Sequence, residues 1–179
     1  MMANFEDDAI SASEFDEAYD DPRELRGAIL SEPLSQVPRR PAVIVEATAT
    51  IAEAITKMNE RSVGCALVMH GSKLAGIFTE RDVLRRVLGK GLDAQSASIE
   101  GVMTTNPDVL PESAGVAHAL QKMNVEGYRH IPLVDAHGAV VGVIGVRDIV
   151  AWMCGLFPES AMLNLSPRPG TFPKAADGG

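Results

Sequence analysis

The feature that most limits what this chain can fold into is that it contains one pattern twice. Gly76-Ile77-Phe78-Thr79-Glu80-Arg81-Asp82 returns 66 positions later as Gly142-Val143-Ile144-Gly145-Val146-Arg147-Asp148. Upstream, Ile51, Ala54, Ile55 and Met58 recur 65 positions on as Val116, Ala119, Leu120 and Met123. Cys65-Ala66-Leu67-Val68-Met69 likewise matches His130-Ile131-Pro132-Leu133-Val134. The offset changes inside one turn, where His70-Gly71-Ser72-Lys73 faces the longer Asp135-Ala136-His137-Gly138-Ala139. A hairpin loop is where a structural repeat tolerates an inserted residue, so this is an internal duplication.

Each copy reads β-α-β-β-α. Val43–Val45 predicts a first strand, and Thr50 with Glu53 three residues on forms a capping box opening a helix to about Glu60. Cys65–Met69 and Leu74–Phe78 predict a hairpin closed by Gly71-Ser72. The next helix, ending near Leu88, carries Val83, Leu84, Val87 and Leu88 on one face. Pro33-Leu34-Ser35-Gln36-Val37 has its counterpart in Ser98-Ile99-Glu100-Gly101-Val102. The first repeat therefore spans 30–88, a linker 89–98 and the second repeat 99–155. The second opens at Val102–Pro107 and ends in a helix from Asp148 to about Cys154, with Ile149, Val150 and Met153 inward and Trp152 at its edge. A core of roughly 50 residues is marginal alone. Two such copies bury their apolar faces against each other across a pseudo-two-fold axis, which leaves two related clefts between them.

Composition narrows the function. Residues 1–24 hold nine acids against Arg23 alone, while 25–179 hold 15 acids and 15 bases, so the net charge of −8 belongs to an acidic arm. The arm predicts a solvated, partly disordered segment with Phe5, Ile10, Phe15 and Tyr19 as scattered apolar anchors. Residues 156–179 form an extension, with 157–165 a short packing segment and disorder expected from about Ser166. A neutral repeat region disfavours nucleic-acid binding. No stretch approaches the ~18 apolar residues of a membrane span. The acidic N-terminus argues against a secretory or mitochondrial signal, and Cys65 and Cys154 read as thiols in a reducing compartment, so a cytoplasmic protein is expected.

Thr79 and Asp82 fall in the first turn of a helix, where N–H groups lack partners and point outward. Free amides and the helix dipole suit an anion there, and a nearby carboxylate accepts from hydroxyls, a fit for a phosphorylated sugar. Thr-x-x-Asp is also close to a capping box, and both readings stand at this level.

Taken with Arg129-His130-Ile131-Pro132-Leu133-Val134-Asp135, the two motifs resemble the cystathionine-β-synthase (CBS) domain pair, or Bateman module, over about residues 30–155. The resemblance implies an α+β fold of two intertwined repeats, assembled as a homodimer. It also implies an adenine nucleotide (AMP, ADP or ATP) held between the repeats as a regulatory ligand. On this footing Asp82 accepts from the ribose hydroxyls, Thr79 contacts ribose or phosphate, and Ile77 lines the nucleoside pocket. Arg129, His130 and Arg147 face the phosphates, and Arg81 belongs to the same nucleotide-binding set. Arg85 and Arg86 read as a solvated helix face. The second cleft is poorer: Asp148 remains, but Gly145 replaces the hydroxyl and Gly64-Cys65 stands opposite Arg129-His130.

Catalysis finds little support. Cys65 reads as buried and inert, equivalence to His130 does not make the two neighbours, and the four histidines lack metal-ligand spacing, so no metal site is expected. Neither a nucleophile elbow nor a phosphate-loop lysine occurs. Three expectations remain: a nucleotide-sensing module acting on an unidentified effector protein, a ligand-independent dimerising scaffold, or a binder of a dinucleotide, S-adenosylmethionine or a metal in the same cleft.

Overall fold

The computed structural model describes residues 22–39 and 41–156. Of the expected acidic arm, 1–24, residues 1–21 lie outside the described residues, as does the C-terminal extension from 157, whereas 22–24 are not disordered but open a helix. The elements in order are α1 (Pro22–Ser31), a 3-10 turn (Leu34–Gln36), β1 (Ile44–Glu46), α2 (Ile51–Arg61), β2 (Cys65–His70) and β3 (Lys73–Thr79). Next come α3 (Glu80–Asp82), continuing as a π turn (Val83–Val87) and a 3-10 turn (Leu88–Lys90), and a 3-10 turn at Ile99–Gly101. The second copy supplies β4 (Thr104–Thr105), β5 (Leu110–Pro111), α4 (Val116–Glu126), β6 (His130–Val134), β7 (Val140–Gly145) and α5 (Val146–Gly155).

The repeats are intertwined through their lead-in segments. Leu34 N–H donates to Ala114 O, while its counterpart Ile99 N–H donates to Ala49 O, so each lead-in turn docks on the other repeat. Val116 N–H donates to Glu32 O just as Ile51 N–H donates to Ala97 O, which satisfies the orphan amides at both helix starts from outside the helix. The cores follow the same exchange. Leu34 and Val37 are buried with Leu110, Ile131, Leu133, Ile144 and Ile149 of the second repeat. Ile99 and Val102 are buried with Val45, Ile51, Val68 and Phe78 of the first. A third cluster joins the copies, with Cys65, Leu67 and Ile77 packed by Val140 and Val143.

The two sheets are not equal. The first has order β1-β2-β3-β4, because Thr104 and Thr105 pair with Ile77 and Gly76. Among the described residues the second comprises β5-β6-β7. The residue equivalent to Thr104 is Arg39, preceded by Pro38, which offers no ladder donor. Gly76 is where β4 approaches most closely: a Cβ there would lie 2.8 Å from Thr104 O.

Two expectations need correction. The helix after Thr79 does not bury one continuous face, since Val87 is buried but Leu84 and Leu88 are 65% and 67% exposed. The segment Val83–Val87 is a π turn with N–H(i)→O=C(i−5) bonding, which winds more slowly than an α-helix. In α5, Ile149 is buried but Val150 is 50% exposed, at the position equivalent to Leu84. The capping box at Thr50 and Glu53 is formed in both directions, and α2 runs one residue past the expected end.

Candidate functional site

β3 hands its last residue directly to α3, so Thr79 closes a strand and caps a helix at once. Asp82 N–H donates to Thr79 Oγ1 at 3.4 Å, and Thr79 N–H donates to Asp82 Oδ2 at 2.9 Å. The Thr79 hydroxyl also donates to Asp82 Oδ2, at 2.7 Å. The other carboxylate oxygen, Oδ1, lies 3.3 Å from Arg86 Nε. Asp82 is 7% exposed, the sole buried charged residue among those described. Its burial is tolerable because the carboxylate is both paired and hydrogen-bonded.

This turn forms one wall of a cleft of about 450 Å³ between the repeats. Ile77, Thr79, Arg81, Asp82, Arg85 and Arg86 line it from the first repeat. Thr104–Asp108 and Glu126–His130 line it from the second, so the structure gathers Ile77, Thr79, Arg81, Asp82, Arg129 and His130 on one surface. Arg147 is not among the residues lining this cleft; it is exposed at the start of α5. Arg81 spans the cleft, its guanidinium donating to Gly127 O at 3.1 Å. At the rim, Lys122 Nζ donates to Asp108 Oδ2 at 2.7 Å, and the Tyr128 hydroxyl donates to the same oxygen at 3.4 Å.

Arg86 corrects the reading of a solvated helix face. Besides pairing with Asp82, its Nη1 donates to Val102 O at 2.9 Å and Met103 O at 2.7 Å, tying α3 to the opening of the second repeat. The i, i+4 spacing of Asp82 and Arg86 was the available signal. Arg85 also lines the cleft. Thr104–Pro107 carried no chemical motif, and only the pairing of β4 with β3 brings them to the site.

His130 stands at the junction of the two copies. Its ring lies against Gly64 and Gly145, where added Cβ atoms would each come within 3.3 Å of it. Burial, then the neighbouring Arg129 charge, pushes the imidazole below its ordinary value, with Asp148 and Glu80 pulling the other way. Cys65 feels the same two acids; burial first, then Asp148 and Glu80, pushes its thiol up to about 12. A thiol so held is neutral and a poor nucleophile near neutral pH.

The related second cleft is differently furnished. Asp148 Oδ2 accepts from Gly145 N–H at 2.7 Å, the carboxylate half of the cap without the hydroxyl half. A Cβ on Gly145 would lie 3.0 Å from that oxygen and 3.3 Å from His130 Cδ2, so a hydroxyl residue there needs both neighbours to shift slightly. Arg39 packs against Gly142, its guanidinium donating to Glu112 Oε2 at 3.0 Å. Ala151 and Trp152 occupy the places of Arg85 and Arg86. Among the described residues no group of acids, histidines and cysteines could hold a metal ion, and no helix is long and apolar enough to cross a membrane.

An exchanged pair of β-α-β-β-α units, with a capped motif facing a cleft, defines a tandem of CBS domains. The CBS domain family matches residues 34–89 and 99–155, and the chain belongs to that family. The chain is 36% identical over 103 residues to the meiotically up-regulated gene 70 protein of Schizosaccharomyces pombe, covering 58% of this chain and 14% of that protein. An uncharacterized 17.7 kDa protein of Acidianus ambivalens is 30% identical over 117 residues, 65% of this chain and 70% of its own length. Among solved structures, a CBS domain protein from Pyrobaculum aerophilum complexed with AMP is 28% identical. It superposes with a TM-score of 0.61, covering 74% of this chain and 97% of that one. A putative signal-transduction protein with CBS domains from Burkholderia ambifaria matches at 25% identity and a TM-score of 0.61, covering 76% of this chain and 95% of that one.

Proposed function

We propose that this protein is a regulatory module, not an enzyme, that binds an adenine nucleotide in the cleft between its repeats and passes the bound state to an effector protein. One observation carries the reading: the acceptors Thr79 and Asp82 from one repeat face the donors Arg129 and His130 from the other across a single cleft. Acceptors suit ribose hydroxyls, and the Arg129 guanidinium with the His130 ring as a neutral donor suits phosphate. The AMP complex of the Pyrobaculum aerophilum protein, a relative of the same fold, supports this choice of ligand. The second cleft, without hydroxyl or arginine cluster, is the weaker site or holds none. Exposed Leu84 and Val150, at equivalent places in the two repeats, support a homodimer through the α3 and α5 faces. The module acts in the cytoplasm.

A ligand-independent scaffold is the second reading, and one observation favours it. Both Asp82 oxygens already have partners inside the protein, as a purely structural cap requires. Calorimetric titration of ligand-free protein with AMP, ADP, ATP and NAD separates the two. Saturable adenylate binding near one per chain establishes the sensor and ranks the nucleotides. No heat with any of the four leaves the scaffold.

A further inference from the structure

We infer that the acidic N-terminal segment, residues 1–21, docks on the arginine wall of the main cleft in its own chain and competes there with anionic ligands. Three guanidiniums, Arg81, Arg85 and Arg129, line that cleft, and among the described residues none of them has an ion-pair partner. The remaining charges around it are largely spent, with Asp82 on Arg86 and Asp108 on Lys122. Over the lining residues, Arg81, Arg85, Arg86 and Arg129 stand against Asp82, Asp108 and Glu126, a surplus of one. The groove beside β1 has Lys57 and Arg61 against Glu60, a surplus of one. The net surplus is the same in both, but the main cleft offers three cations outside the ion pairs of the described residues and the groove two.

Residues 1–21 supply the complement. They carry eight carboxylates between Glu6 and Asp21 and neither lysine nor arginine. Phe15 and Tyr19 alternate with the acids, and Ile77, Pro107 and Tyr128 offer apolar surface in the same cleft. The segment joins the fold at Pro22, the start of α1, which packs on α4; the last residue of α4, Glu126, lines the cleft. Twenty-one residues span up to about 70 Å extended, against a radius of gyration of about 14 Å for a domain this size, so reach sets no limit. A tether of this length gives a local concentration on the order of millimolar, enough for a weak, multiply charged contact to be populated. Such a contact is screened by salt, because the groups are exposed.

The test uses the full chain carrying Ser13→Cys and Cys154→Ser, with a nitroxide on residue 13. Cys65 is buried, with its thiol pushed up to about 12, and takes no label. The expected result is paramagnetic broadening of the Gly127, Tyr128 and Arg129 amide signals. It disappears in about 0.5 M NaCl, where the screening length is about 4 Å. It also disappears when Glu14, Asp16, Glu17, Asp20 and Asp21 are replaced by their amides. Equal broadening in the amide variant, broadening centred elsewhere, or none at all overturns the inference. Broadening of isotope-labelled chains by separately spin-labelled chains overturns docking within one chain and assigns the segment to a second copy. A second readout rests on the nucleotide reading: the amide variant binds AMP about 2- to 10-fold more tightly than wild type. If AMP does not bind either protein, the nucleotide reading fails, and the broadening experiment still decides the docking.

Discussion

Replacing Asp82 by alanine separates a ligand site from a helix cap, because the structure assigns the carboxylate a measurable cost in each. On the folding side, the substitution leaves Thr79 N–H without its acceptor and deprives Arg86 of its anion. An unsatisfied buried donor costs about 1–3 kcal/mol. Arg86 keeps the Val102 and Met103 carbonyls and is part-exposed, so its loss stays small. A total near 2 kcal/mol lowers Tm by about 4–8 °C for a chain of this length. On the binding side, removing an acceptor of charge-assisted hydrogen bonds from ribose costs about 1.5–3 kcal/mol, or roughly 10- to 150-fold in affinity. The assay is calorimetric titration with the preferred adenylate at 15 °C, below both melting transitions, beside a thermal melt of the same samples. Wild-type affinity in a variant whose Tm has fallen would refute the ligand role and leave Asp82 a cap. An unchanged Tm would refute the energetic reading of the capped turn.

Three further outcomes follow from the same geometry. Arg129→Ala weakens phosphate-dependent binding by about tenfold or more and leaves the melt within about 0.5 kcal/mol of wild type, since Arg129 is exposed; titrations with AMP and adenosine check both halves. Gly145→Thr forces a Cβ against the His130 ring and the Asp148 carboxylate, and destabilises by about 1–3 kcal/mol in chemical denaturation rather than creating a second nucleotide site. His130 is held neutral by burial, so its folded value lies below the 6.5 of the unfolded chain. Stability is then full above that pH and declines as pH falls through it, and His130→Gln flattens the decline in melts between pH 8 and 5.

Much of the architecture was legible because a duplication checks itself: each turn and cap read in one copy could be tested on the other. Thr50 with Glu53, the hairpin at Gly71 and the Thr79–Asp82 pair are local patterns within four residues, where sequence and geometry are nearly the same thing. What escaped reading depends on reach. Arg86 is a half-buried clamp because its long side chain extends to carbonyls 16 and 17 residues away. Leu84 and Val150 are exposed at equivalent places, one in a π turn and one in a regular helix, although both carry an apolar pattern that reads as buried.

The same distinction accounts for the inequality of the two clefts. Gly145 in place of a hydroxyl residue reads, in sequence, as an isolated loss in the second motif. In the fold it is one side of a trade. His130 comes from the strand that serves the first cleft, and its ring crosses to lie on Gly64 and Gly145. Furnishing the first cleft with an imidazole thus crowds the place of a hydroxyl in the second. Among the described residues β7 has no fourth strand like the one that brings Thr104–Pro107 to the main cleft. Starting from two copies of one unit, a few substitutions at their junction suffice to concentrate the polar groups on one side. Changing His130 to a smaller residue together with Gly145→Thr is therefore expected to be tolerated better than Gly145→Thr alone, as chemical denaturation of the two variants checks.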